Sequence, residues 1–224
     1  MSERFLVGYA IDLAKLRAML GTPKLSPKVI RAKATKANVG DIDMTLGDGD
    51  RKQGKPLVDA ALIQLATNKL VKDDVYDLVR ASQLVVDAYG KALGVAEVPY
   101  IESDAFGLMN PVFKALKLPT LAKLYGRSSL AFPFKKAEDS GWPIAMALEG
   151  AALAACSKEL ATPWKANVSG LPDKVFTAKP HDASPEAIGY QKAELVPMLA
   201  QMAKWTAAAA KAKLALVMYL DGDQ

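Results

Sequence analysis

The chain opens and closes on short apolar runs, residues 5–9 and 214–220, each flanked by a stretch with helical character. Short apolar segments containing valine and tyrosine suit buried strands better than helices. Making both of them central strands of one small sheet, with helices packed on a face, satisfies the two runs at once. The expected fold is an α-rich α+β domain whose sheet contains the N- and C-terminal strands and carries about six to eight helices. No linker divides the chain, so residues 1–224 are expected to form a single domain.

Between the two strands the periodicity predicts mostly helix. Asp12 stands as an N-cap before Leu13, Leu16, Met19 and Leu20, and Gly21 closes that helix. Ser26-Pro27 opens a second helix to about Ala37. Residues 40–55 hold Gly and Asp-Gly punctuation without a period and read as a loop. Pro56 then starts a third helix with Leu57, Ala61, Leu62 and Leu65 inward. Asp73 or Asp74 caps a fourth, whose stripe runs through Val75, Leu78, Val79, Val85, Val86, Tyr89 and Leu93 and stops at Gly94. Asn110-Pro111 begins a short helix through Leu118, and residues 120–125 add a turn or two. Residues 128–134 suit an edge strand because they include Pro133. Residues 142–160 are apolar all round and read as a central helix. Residues 162–185, with four prolines, have no helical period; so long an irregular segment is either a functional loop or hides a short strand around 174–177. A last long helix covers 192–211, with Leu195, Met198, Leu199, Met202, Trp205 and Ala209 on one face.

Asp12 arrives too early for the apolar core of a signal peptide to precede it. The longest apolar run, residues 142–156, is interrupted by Glu149 and Gly150 and falls short of the roughly 20 residues a membrane span needs. One cysteine permits no internal disulfide. A cytoplasmic protein without a membrane partner is the expectation. Its charge is uneven: residues 1–55 hold eleven basic and six acidic side chains, which accounts for the whole formal net charge of +5. Of the 29 cations 23 are lysines, whereas bidentate readout of bases and phosphates favours arginine. A helix starting near Ser26 scatters Lys28, Arg31, Lys33 and Lys36 over more than half its circumference, as on a solvated face.

The two ends carry a resemblance. Leu6-Val7-Gly8-Tyr9-Ala10-Ile11-Asp12-Leu13 with Leu16, then Ile188-Gly189-Tyr190, Trp205 and Leu216-Val217-Met218-Tyr219, look like a family of uncharacterised bacterial cytoplasmic proteins. Members of that family begin with an apolar strand ending in Asp-Leu and finish with a helix and an apolar-aromatic strand. The likeness covers the two outer quarters of the chain. It implies a bacterial cytoplasmic protein and carries no activity with it.

Chemical motifs are sparse. Neither phosphate-cradling glycine pattern occurs, and Gly47-Asp48-Gly49-Asp50 would meet an anion with two carboxylates. Asp41, Asp43, Asp48 and Asp50 could offer oxygen ligands to Ca²⁺ or Mg²⁺, but the EF-hand spacing is missing and turn chemistry explains the same residues. No metal and no cofactor is therefore expected. His181 is the sole imidazole, and Cys156 lies far from it in an apolar stretch. Glu149 is a carboxylate amid apolar neighbours; burial would raise its pKa and make it a candidate general acid, whereas a wet face or a basic partner would leave it ordinary. Glu97, Glu102 and Asp104 could form a carboxylate pair, with no geometry to fix them. Among the tryptophans, Trp205 belongs to a helical stripe, and Trp164, beside Pro163 in the irregular segment, is the candidate for an exposed interface anchor.

These observations favour a non-enzymatic protein-binding module, an adaptor or immunity-type partner of another protein. Trp164, Lys28, Arg31, Lys33 and Lys36 would be its contact residues. The alternative is an enzyme that uses carboxylates on a small molecule, centred on Glu149 or on residues 41–50. Weak nucleic-acid binding through the helix between Lys24 and Lys36 ranks third.

Overall fold

The computed structural model describes residues 4–71, 75–98, 105–124, 144–162, 164–176 and 184–222. Strand β1 (Arg4–Ile11) is followed by helices α1 (Leu13–Arg17), α2 (Pro27–Lys33), α3 (Lys36–Leu46), α4 (Arg51–Thr67) and α5 (Val75–Tyr89). Strand β2 (Lys91–Glu97) precedes α6 (Ala105–Ala115) and α7 (Pro119–Leu124). Strand β3 (Ile144–Leu148) leads into α8 (Gly150–Leu160), α9 (Lys165–Val168) and the long α10 (Pro185–Lys211), and β4 (Ala215–Gly222) completes the order. Among the described residues no helix is long and apolar enough to cross a membrane.

The strands form one antiparallel sheet in the order β2-β1-β4-β3. The two terminal strands lie at its centre, with Leu6 opposite Leu220 and Val7 opposite Tyr219. The fold is α+β and α-rich, as the end segments predict. Helices cover both faces of the sheet, not one. Leu6, Ala10, Met146, Leu148, Leu216, Met218 and Leu220 pack into one core with residues of α6, α7, α8 and α10. Tyr9, Ile11, Ala145, Ala215, Val217 and Tyr219 pack into a second core with residues of α1 to α5. Double coverage is why the central strands read as continuous apolar runs without alternation. Gly8 in β1 is one residue that cannot be larger: a Cβ there would come within 2.7 Å of the Trp205 indole.

Several local expectations give way. Residues 142–160 are not one helix: β3 and α8 are fused into a single apolar run, and Glu149-Gly150 is the junction between them. Periodicity alone cannot separate a short buried strand from a buried helix. Residues 40–55 are not a loop. They hold most of α3 and the start of α4, joined by a turn in which Asp48 and Gly49 take positive φ of 48° and 89° and Asp50 caps α4 through the Lys52 N–H at 2.8 Å. A Cβ on Gly54 would overlap the Asp43 carbonyl, so this glycine serves close crossing of two helix backbones. Helix α4 is already under way at Pro56, and Leu57 is exposed.

The second helix stops at Lys33, and Thr35 caps a new one through the Asn38 N–H. Helix α5 ends at Tyr89, and Leu93 belongs to β2, which pairs along the edge of β1. Helix α6 starts before Asn110, α10 starts before Lys192 with Ser184 as its cap, and residues 173–175 form a 3-10 turn in place of the short strand that was one of two readings for this segment. The expected edge strand at 128–134 and the caps Asp73 and Asp74 lie outside the described residues.

Candidate functional site

Strand β1 delivers the chain to one end of the sheet, where Asp12 accepts the Lys15 N–H at 2.9 Å and starts α1. The turn that follows brings Pro23–Leu25 and then α2 back beside the last turn of α5. An open groove of about 540 Å³ lies among these elements, lined by Lys15, Met19, Pro23, Lys24, Val29, Lys33 and Tyr89. A smaller cavity of about 50 Å³, reaching Ile11, Asp12 and Leu16, shares Lys15, Met19 and Tyr89 with it. Met19 from the turn after α1, Pro23, Val29 of α2 and Tyr89 of α5 supply the groove's apolar lining, and Lys15, Lys24 and Lys33 supply its charge.

The aromatic wall is held at both ends. The Tyr89 hydroxyl donates to the Lys24 carbonyl at 2.9 Å, and the Lys33 ammonium lies 4.3 Å from the ring centroid. Behind it, Asp87 accepts the Thr35 N–H at 2.6 Å and the Tyr9 hydroxyl at 3.4 Å, while the Asn38 amide donates to that hydroxyl at 3.2 Å. Burial, and then the Asp87 charge, push the Tyr9 phenol up to about 12. It therefore stays neutral as a hydrogen-bonding strut between sheet and helices. On the far side of α1, a second groove of about 390 Å³ is lined by Asp12, Glu149, Lys213 and apolar residues of α8 and α10.

The sequence-predicted contact residues separate into three groups. Lys28, Lys33 and Lys36 are exposed, and Lys33 lines the groove. Arg31 is not available on the surface: it makes two bonds to Asp43 at 2.8 and 2.9 Å and one to Asp59 at 2.6 Å, which ties α2 to α3 and α4. Trp164 corrects the expectation of an exposed anchor. It is 6% exposed, it donates its indole N–H to the Leu160 carbonyl at 2.9 Å, and it packs in the core with Val168, Leu171 and Phe176. The irregular segment folds back onto α8 and takes the ring with it.

Among the described residues the candidate catalytic groups do not assemble. Glu149 is exposed at the β3–α8 junction, where Arg17 grips both its oxygens at 2.7 and 3.1 Å. Asp43 pairs with Arg31, Asp50 caps α4, and Asp41 and Asp48 are exposed. Among the described residues no group of three His, Cys, Asp or Glu is placed to hold a metal ion. Cys156 is buried, and desolvation, followed by the nearby Glu159 charge, lifts its thiol to about 12, far from a nucleophilic thiolate. Glu97 is exposed on β2, and Glu102, Asp104, Trp142 and His181 lie outside the described residues. The groove residues that sequence reasoning gave no functional role are Lys15, Met19, Pro23 and Tyr89, while Lys24 and Val29 entered only as part of the third-ranked nucleic-acid helix. One signal could have found them: residues 12–36 contain seven basic side chains and a single acidic one, Asp12.

No protein-family model, curated protein or solved structure matches the chain. The likeness of its two ends to bacterial cytoplasmic proteins rests on those end residues alone.

Proposed function

We propose that the protein is a non-enzymatic protein-binding module of adaptor or immunity type, acting in the bacterial cytoplasm. The observation that carries this reading is the groove at the end of the sheet. It is open, its floor is apolar, and its aromatic wall is fixed before any partner arrives, which lowers the ordering cost of binding. An apolar centre that includes an aromatic ring, with charged groups around it, is the usual anatomy of a protein contact. Lys33, one of the sequence-predicted contacts, lines it, and Lys28 extends the same helix outward.

Amine-reactive cross-linking in the native host, read by mass spectrometry, tests the reading. Lys15, Lys24 and Lys33 should cross-link to another protein more often than Lys114 and Lys123, which are exposed on helices of the opposite layer. A chain that yields no intermolecular cross-link from the groove lysines overturns it.

A further inference from the structure

We propose that the groove receives an acidic segment of the partner protein, one that sets an apolar side chain or two between carboxylates; this rests on the protein-binding reading above. Three features specify that chemistry. Met19, Pro23, Val29 and Tyr89 offer an apolar bed that would be wasted on a purely ionic ligand. Among the described residues, none of Lys15, Lys24 and Lys33 makes an ion pair; all three are exposed, and the Lys33 ammonium lies over the Tyr89 ring. The surrounding stretch, residues 12–36, is more positive than the whole protein, at seven basic to one acidic, so its field draws in a negative partner before contact.

The same geometry disfavours nucleic acid. Among the described residues no arginine lines the groove to read phosphates or bases in a bidentate manner. Lysines on flexible stems suit carboxylates, which they can follow without a fixed fork.

Fluorescence anisotropy on the full chain decides the matter. The probe is a fluorescein-labelled peptide of about twelve residues, glutamates and aspartates on either side of a Leu-Phe pair, at an ionic strength of about 0.15 M. Saturable binding is expected. Lys15→Gln/Lys24→Gln/Lys33→Gln, or replacement of the peptide's Leu-Phe by Ser-Ser, should each weaken it by about tenfold or more. The double variant Lys15→Gln/Lys24→Gln keeps the Lys33–Tyr89 contact and should still lose several-fold, which guards against a change in fold. Unchanged affinity in both lysine variants, equal binding of the Ser-Ser peptide, or tighter binding of a twelve-nucleotide oligothymidine overturns the proposal. If groove-lysine cross-links to a host protein persist beside any of those results, the protein-binding reading stands and this inference alone falls. If those cross-links are missing too, both fall.

Discussion

The two faces of the sheet are covered by different kinds of core. The face under α6 to α10 is packed with Trp164, Trp205, Phe113, Phe176, Cys156 and four buried methionines, and its polar contacts are few among the described residues. The face under α1 to α5 has tyrosines as its sheet aromatics, Tyr9 and Tyr219, each with a hydroxyl to satisfy. It also contains four of the six buried polar residues among those described, Asp43, Arg80, Ser82 and Gln83. Apolar volume holds a layer without fixing one arrangement tightly, whereas hydrogen bonds and ion pairs are satisfied in one geometry only. The directional core lies behind the groove and the volume-filling core does not. Placement of the lysines and Tyr89 is thus a property of the first face, and the second supplies stability.

The contrast can be broken by substitution. Trp205→Ala on the volume-filling face should cost most, about 3–5 kcal/mol in chemical denaturation, because it empties the space beneath Gly8 and leaves the Leu93 carbonyl, which the indole N–H reaches at 2.9 Å, with only the longer 3.5 Å bond from the Gln201 amide among the described side chains. Asp43→Ala on the directional face removes two of Arg31's bonds and leaves Asp59. A loss of about 2–3 kcal/mol is expected, below that of a fully buried pair because the guanidinium keeps some exposure. Adding Arg31→Met should recover part of it, and full additivity in the double-mutant cycle would refute the coupling.

Alkaline unfolding separates the faces further. Tyr9 ionises near 12 in the folded state against an ordinary value of 10, so the native state holds its proton longer and stability falls as pH rises through that window. Burial pushes Tyr219 in the same direction. Tyr9→Phe should flatten the loss between pH 10 and 12, by about 1–2 kcal/mol after allowance for its partly buried hydroxyl. Tyr219→Phe removes only the 3.2 Å contact with Ser82, whose hydroxyl keeps the Val79 carbonyl, so about 0.5–1 kcal/mol is expected at neutral pH. Arg17→Ala comes last, at about 0–1 kcal/mol, because its pair with Glu149 is exposed.

The sequence discloses the centre of this sheet and hides its edges. Residues 5–9 and 214–220 are recognisable because a strand covered on both sides must be apolar at every position. Strand β2 has no such mark: five of its seven residues are exposed, and pairing with β1 defines it. Strand β3 is masked by the equally apolar α8. At the groove, Lys15 and Lys24 look like ordinary solvated charges and Tyr89 like one more member of a helical stripe. Only the return of α2 to the end of α5 puts them together, and that contact has no local signature. Arg31 and Trp164 misled for the same reason: their partners, Asp43 and Asp59 in one case and Leu160 in the other, come from how helices fold back on one another.

The order of strands in space also governs how the molecule is made. Strand β4 is synthesised after the other three, yet it lies between β1 and β3. Until it leaves the ribosome, the two helical halves own separate fragments of a sheet and share no ladder. Assembly of the whole sheet must therefore wait until β4 has been made, and the chain short of β4 exposes two greasy edges that a chaperone would be expected to shield.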